Sequence, residues 1–186
     1  MNIVICSIND FDDNFYEFYY HTLNSYEKNK NDKYIKEADK KRNLLGLYII
    51  NNYLLDCDYK LLYNDNGKPY QDNNSIYFNI SHKDNYVVGV RSKKKIGIDI
   101  ERIRSVSNSF IKQIANSYEQ EVFKDNPILL FSLKEAYIKM KGGNISELLN
   151  VSFKYNKKRI ICSDSLVRFN IIEDYYPYVI IVCEEV

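Results

Sequence analysis

The stretch Lys95-Ile96-Gly97-Ile98-Asp99-Ile100-Glu101-Arg102, KIGIDIER, decides how this chain is read. Its apolar and polar residues alternate with period two, the spacing of a β-strand whose successive side chains point to opposite faces. Gly97, Asp99 and Glu101 therefore share one face, and Ile96, Ile98 and Ile100 share the other. The isoleucine face belongs on a core. The opposite face holds two carboxylates about 7 Å apart along the strand, beside a glycine that leaves room for a ligand to approach the backbone. Such a pair repels itself unless a cation sits between, and oxygen ligands of this kind suit Mg2+, which takes carboxylates together with waters and phosphates. An edge strand with a solvated polar face is the other reading, and the octapeptide alone leaves both open.

A helix further along bears on the choice. In FSLKEAYIKMKGG, Phe131 to Gly143, residues placed at 100° intervals put Leu129, Leu133, Ala136 and Met140 in one core stripe. Lys134, Tyr137 and Lys141 fall to one side, as a solvent face would. Glu135 and Lys139 lie one turn apart in a third sector, with Ile128 and next to Phe131 and Ile138. As a surface i,i+4 pair they would contribute only about a few tenths of a kcal/mol, but surface pairs rarely lie between Phe and Ile. Were this helix packed across the acidic strand, Glu135 would add a third carboxylate and Lys139 an ammonium. That set suits phosphoryl chemistry, in which a cation neutralises phosphate oxygens and a lysine stabilises leaving-group charge.

Upstream, YFNISHKDNYVVGV reads as two strands joined at Lys83-Asp84-Asn85, with His82 at the end of the first. A lone histidine in a hairpin is more often solvated or structural than catalytic. Gly67-Lys68-Pro69-Tyr70 reads as a rigid turn presenting a lysine. The basic series Lys28, Lys30, Lys33, Lys36, Lys40, Lys41, Arg42 is either a solvated helix face or a collector of phosphates, with Arg42 the inward candidate because the apolar Leu44-Leu45 run follows it.

The remaining segments give the frame. Asn2 to Ile8 reads as a strand, Asn9-Asp10 as the cap of a helix through Leu23, then a polar linker, then a helix from Asp32 whose second half is buried. Strands are predicted over Tyr59 to Tyr63, Ile76 to Ile80, Tyr86 to Arg91 and Ile96 to Glu101, with Asn64-Asp65-Asn66-Gly67 turning between the first two. Helices follow over Ser107 to Lys124 and Pro127 to Lys141, where Asn126 fits the cap, Pro127 the first helical position and Gly142 the stop. Strands over Val151 to Tyr155, Arg159 to Cys162, Leu166 to Ile172 and Tyr178 to Cys183 close the chain. The fold class is α+β: two subdomains, 1–92 and 93–186, each a small, mostly antiparallel sheet packed with helices. No long linker separates them, which implies a large, fixed interface.

Over 186 residues, 45% hydrophobic and 27% charged, the composition is that of a globular protein with a sizeable core. Twenty-six basic residues against 25 acidic give a formal charge of +1, so net charge offers no argument for nucleic acid or membrane. Cys6, Cys57, Cys162 and Cys183 show no metal-ligand spacing and read as buried, reduced thiols. No window approaches the roughly 18 apolar residues of a membrane span and the start has no basic leader; a cytoplasmic protein is expected.

Taken in order, the segments resemble the 4′-phosphopantetheinyl transferases of the surfactin-synthetase type. The family pattern R-x-x-L-G, G-K-P, F-N-x-S-H, G-[IV]-D-[IV]-E and W-x-x-K-E-[AS]-x-x-K stands here as Arg42 to Gly46, Gly67 to Pro69, Phe78 to His82, Gly97 to Glu101 and Phe131 to Lys139. The resemblance implies two pseudo-symmetric halves with coenzyme A in the cleft between them, in a monomer. It implies that Asp99, Glu101 and Glu135 bind Mg2+, with Mn2+ a possible substitute, together with the pyrophosphate of coenzyme A. Arg42, His82 and early lysines such as Lys28 and Lys33 would hold the 3′-phosphate, and Lys68, Pro69 and Ser81 would lie along the adenosine. The implied activity is that of a holo-carrier-protein synthase: a serine of an apo acyl, peptidyl or polyketide carrier protein attacks the β-phosphorus and 3′,5′-ADP leaves. Glu135, directly or through a metal-bound water, is the candidate base, and Lys139 serves the leaving group. Arg102 and Arg104 are candidate guides for an acidic carrier. Phe131 replaces the family's tryptophan, Lys83 stands where a serine is common, and the chain is short for the type. A non-catalytic coenzyme A-binding homologue and an unrelated Mg2+-dependent phosphodiester or nucleotidyl enzyme are the alternatives.

Overall fold

The computed structural model describes residues 1–56, 60–64, 67–72, 75–156 and 159–186. Cys57, the predicted strand start at Tyr59, and Asp65 and Asn66 of the predicted turn lie outside the described residues. The chain divides into two compact units, Met1–Arg91 and Ser92–Val186. Both are mixtures of helix and small antiparallel sheets. Among the described residues no helix is long and apolar enough to cross a membrane.

In the first unit β1 (Asn2–Ser7) pairs antiparallel with β5 (Tyr86–Ser92), and β5 lies beside β4 (Tyr77–Lys83) in the order β1-β5-β4. The short strands β2 (Leu61–Tyr63) and β3 (Pro69–Gln71) form a separate ladder. The turn at Asn64 therefore leads into β3, not into the strand predicted from Ile76. Gly67 closes that turn with φ 73°, donating its N–H to the Asn64 carbonyl at 2.8 Å. Among the described residues the unit has three α-helices, α1 (Asp13–Thr22), α2 (Ser25–Asp32) and α3 (Glu37–Ile49). Two caps differ from expectation. Asp12, not Asn9-Asp10, caps α1 by accepting from Phe15 N, because Ser7 and Asp10 close a tight turn of their own over Ile8–Asp10. The expected linker after Leu23 is helical, since Asn24 and Glu27 exchange side-chain and backbone hydrogen bonds in a capping box. α2 takes up Asp32, so the next helix starts at Glu37. Leu44, Leu45, Leu47 and Ile49 of α3 enter the core with Tyr16, Tyr19 and Phe78.

In the second unit β6 (Ile96–Arg102) pairs antiparallel with β10 (Tyr178–Glu185), which pairs with β9 (Val167–Ile172). β7 (Phe153–Asn156) and β8 (Arg159–Cys162) form a hairpin. The predicted single helix from Ser107 is two, α4 (Asn108–Ile114) and α5 (Ser117–Val122), because Asn116 opens a new capping box with Glu119. α6 (Pro127–Lys141) begins at Asn126, whose side chain accepts from Leu129 N, and ends at Gly142 in the left-handed conformation with φ 78°. It packs on the sheet through Leu133, Ala136 and Met140, against Val179, Ile181 and Cys183 of β10.

Burial pushes the thiols of Cys6, Cys162 and Cys183 above their ordinary range; all three are free, Cys183 buried and the others half-buried.

Candidate active site

The alternation in KIGIDIER is realised. Ile96, Ile98 and Ile100 are at most 2% exposed, while Gly97, Asp99 and Glu101 face the other way. What fills the space at Gly97 is not a ligand. A Cβ built there would lie 2.1 Å from the Ala136 carbonyl oxygen and 2.4 Å from Met140 N, so the glycine admits the backbone of α6 against β6. Close packing, not ligand approach, requires it.

That approach places the acids. Asp99, 3% exposed, accepts from Lys139 Nζ on Oδ1 at 2.7 Å and from Ser132 Oγ on Oδ2 at 2.8 Å. Glu135 and Glu101 lie half-buried beside it; the Oε1 of Glu135 is buried without a hydrogen-bond partner, and the Oε2 of Glu101 is buried as well. Burial pushes the Glu135 carboxyl above the usual carboxylate range, Lys139 opposes the shift, and Asp99 and Glu101 reinforce it. Lys139 thus reaches across to the strand, which a surface pair confined to the helix would not do.

Among the described residues no three His, Cys, Asp or Glu side chains converge closely enough to hold a metal ion as they stand. The donor chemistry nevertheless fits one: three carboxylates at one strand-helix contact, and at Glu135 a buried oxygen that no hydrogen bond satisfies.

Lys134 is a correction. Expected on a solvent face with Tyr137 and Lys141, it is fully buried, its Nζ 2.9 Å from Glu119 Oε2. The Glu119 carboxylate also accepts from Asn116 N at 3.0 Å and from Phe153 N at 2.8 Å. The carboxylate that caps α5 supplies the counter-charge that lets a lysine go inside; desolvation lowers the lysine's proton affinity, and Glu119 opposes that. Tyr137 is half-buried, and only Lys141 of the three is exposed; Tyr137 Oη and Lys141 Nζ both reach Asp164 Oδ2 at 3.0 Å. Phe131 packs edge-on against Phe110, ring centroids 5.3 Å apart.

The remaining candidates belong to the first unit, around a pocket of about 210 Å³ lined by Arg42, Pro69 and His82 among others. Arg42 is anchored by Asp39 and by the Asp84 carbonyl, 2.6 Å from Nη1. Asp84 offers that carbonyl from a hairpin turn at φ 49°, a conformation Asp tolerates. His82 is exposed, Ser81 beside it is buried, and Lys68 is set by its N–H donating to Asn64 Oδ1 at 2.8 Å. Of the early lysines Lys30 lines the pocket, with Nζ 4.9 Å from the centroid of Tyr63. Lys28 donates to the His21 carbonyl at 3.2 Å and Lys33 is exposed at the end of α2.

Sequence reasoning misses Ser132 and Glu119, and it includes Lys30 in the basic series without choosing it over Lys28 and Lys33. Ser132 had a signal, lying on the helix three residues before Glu135 and seven before Lys139; Glu119 had one as the fourth residue of Asn-x-x-Glu.

Residues 95–173 match the family model described as the 4′-phosphopantetheinyl transferase superfamily. The chain is 32% identical over 151 residues to the 4′-phosphopantetheinyl transferase gsp of Aneurinibacillus migulanus, covering 68% of this chain and 63% of that protein. It is 31% identical over 123 residues to psf-1 of Bacillus pumilus, covering 58% and 53%, and 30% identical over 129 residues to Sfp of Bacillus subtilis (strain 168), covering 61% and 58%. Both bear the same transferase name, and the chain spans less than two thirds of the length of each of these relatives. The matched span opens at Lys95, where the acidic strand begins, and takes in the whole of α6, so the part of the chain that is similar to the 4′-phosphopantetheinyl transferase superfamily is the part that carries the strand-helix contact.

Proposed function

We propose that this protein transfers the 4′-phosphopantetheine group of coenzyme A to a serine of an apo carrier protein, releasing 3′,5′-ADP, with Mg2+ required. The observation that carries the reading is the β6/α6 contact, where Asp99 and Lys139 meet at 2.7 Å beside the half-buried Glu135. Asp99, Glu101 and Glu135 would hold Mg2+, which when bound supplies positive charge to phosphate oxygens.

The chain's own groups have separate tasks. Glu135, whose Oε1 is buried without a hydrogen-bond partner, is the candidate to take the proton of the attacking serine hydroxyl. Lys139 supplies an ammonium toward the leaving phosphate. In the first unit Arg42, fixed by two partners, presents a guanidinium suited to a terminal phosphate. His82 and Lys30 add donors, and Pro69 an apolar wall for the adenosine. Lys68, next to Pro69 in the chain, and Ser81, next to His82, are assigned to the adenosine on the family resemblance.

Incubation with coenzyme A, Mg2+ and a panel of apo acyl, peptidyl and polyketide carrier domains tests the proposal. Intact mass should show one phosphopantetheine arm on at least one carrier. Folded protein that modifies none of them refutes it.

A further inference from the structure

We propose that Ser132 is a positioning residue of the acidic site, acting through Asp99; this rests on the reading of Asp99 as a metal ligand. Ser132 is fully buried in α6, and its hydroxyl donates to Asp99 Oδ2 at 2.8 Å. The other oxygen of the same carboxylate accepts from Lys139 at 2.7 Å, seven residues further along the same helix. A carboxylate bonded at one oxygen can still rotate about its last torsion. Bonded at both, from two turns of one helix, its plane is fixed.

The two donors are not equivalent. Lys139 brings a positive charge and so competes with any cation for Asp99. The Ser132 hydroxyl carries no charge, so it orients the carboxylate while leaving its negative charge for a cation. The sequence position agrees. A fully buried mid-helix site favours alanine over serine on propensity and on the cost of burying a hydroxyl. A helical serine commonly turns its hydroxyl back to its own helix's carbonyls, whereas this one reaches Asp99 on β6.

The test is a titration of the full chain with Mn2+, without coenzyme A or carrier, following free Mn2+ by electron paramagnetic resonance. Partners of metal ligands typically change affinity about 10- to 100-fold. Ser132→Ala should bind Mn2+ about tenfold more weakly than the wild type, and Ser132→Cys, near-isosteric with a weaker donor, should fall between. Asp99→Asn, which alters the ligand itself, should bind weakest. Thermal melting of each variant separates the roles, because a merely structural serine would lower the melting temperature without ordering Mn2+ affinity as Ser, Cys, Ala. If Ser132→Ala does not fold, the cysteine variant carries the comparison. Wild-type affinity in the serine variants with weakened binding in Asp99→Asn overturns the role of Ser132 and leaves the metal reading intact. Wild-type affinity in Asp99→Asn overturns both.

Discussion

Gly97→Ala puts the strand-helix contact to its most direct test. The added methyl would sit 2.1 Å from the Ala136 carbonyl oxygen and 2.4 Å from Met140 N, where ordinary contact begins at 3.4 Å. Relief requires a shift of about 1.3 Å, the difference between 3.4 and 2.1 Å. The obstacle is helix backbone, which cannot rotate away as a side chain can. Overpacking costs about 1–3 kcal/mol, and a rigid wall belongs at the upper end, near 3 kcal/mol. For a chain of this length that lowers Tm by roughly 6–12 °C. The chemical effect is larger. Moving α6 by about an ångström pulls Lys139 and Ser132 from Asp99 and displaces Glu135, and misplacement on that scale can cost about 100-fold in rate. Differential scanning calorimetry and carrier modification followed by mass spectrometry measure the two effects. Gly142→Ala is the control: it meets nothing within 4 Å and suffers only its positive φ, about 1 kcal/mol, with transfer retained. A Gly97→Ala protein that melts within 2 °C of wild type and transfers at the wild-type rate, with ~1 kcal/mol resolved in the control, would refute the reasoning.

Lys134→Met leaves Glu119 buried without its cation and should cost about 3–5 kcal/mol; the double variant with Glu119→Gln should recover part of that, and chemical denaturation yielding no recovery would count against the pairing. Asp99→Ala and Glu135→Ala should each abolish transfer while circular dichroism keeps the native signature, and retained transfer would sink the assignment of the acids. For Glu184, burial raises its carboxyl, but hydrogen bonds from Ser92 and Arg168 and the charge of Arg168 outweigh that, so its proton affinity lies below the ordinary 4.5. A depressed folded value means stability present above pH 4.5 and lost as pH falls through the folded value. Urea midpoints across that acid range should therefore fall more steeply for wild type than for Glu184→Gln; parallel curves would contradict it.

Local rules carried much of the reading. The acid and isoleucine faces of β6 follow from period-two alternation, and α6 from Asn126, Pro127 and Gly142, because strands and caps are set by residues a few positions apart. The same rules explain two losses: Asn24 with Glu27 and Asn116 with Glu119 are capping boxes that a compositional reading passed over as linker and helix interior.

The sequence by itself determined that Asp99 and Glu101 share a face, that Glu135 and Lys139 share a sector of one helix, and that the family's motifs stand in order. Only the tertiary structure decided that Gly97 admits a helix and not a ligand, that Lys134 turns inward to Glu119, and that Lys139 and Ser132 divide the two oxygens of Asp99. Alternation and helical period are properties of neighbours along the chain. The pairs that build the site join residues 33 to 40 positions apart, and their pairing is fixed by how closely one backbone packs on another.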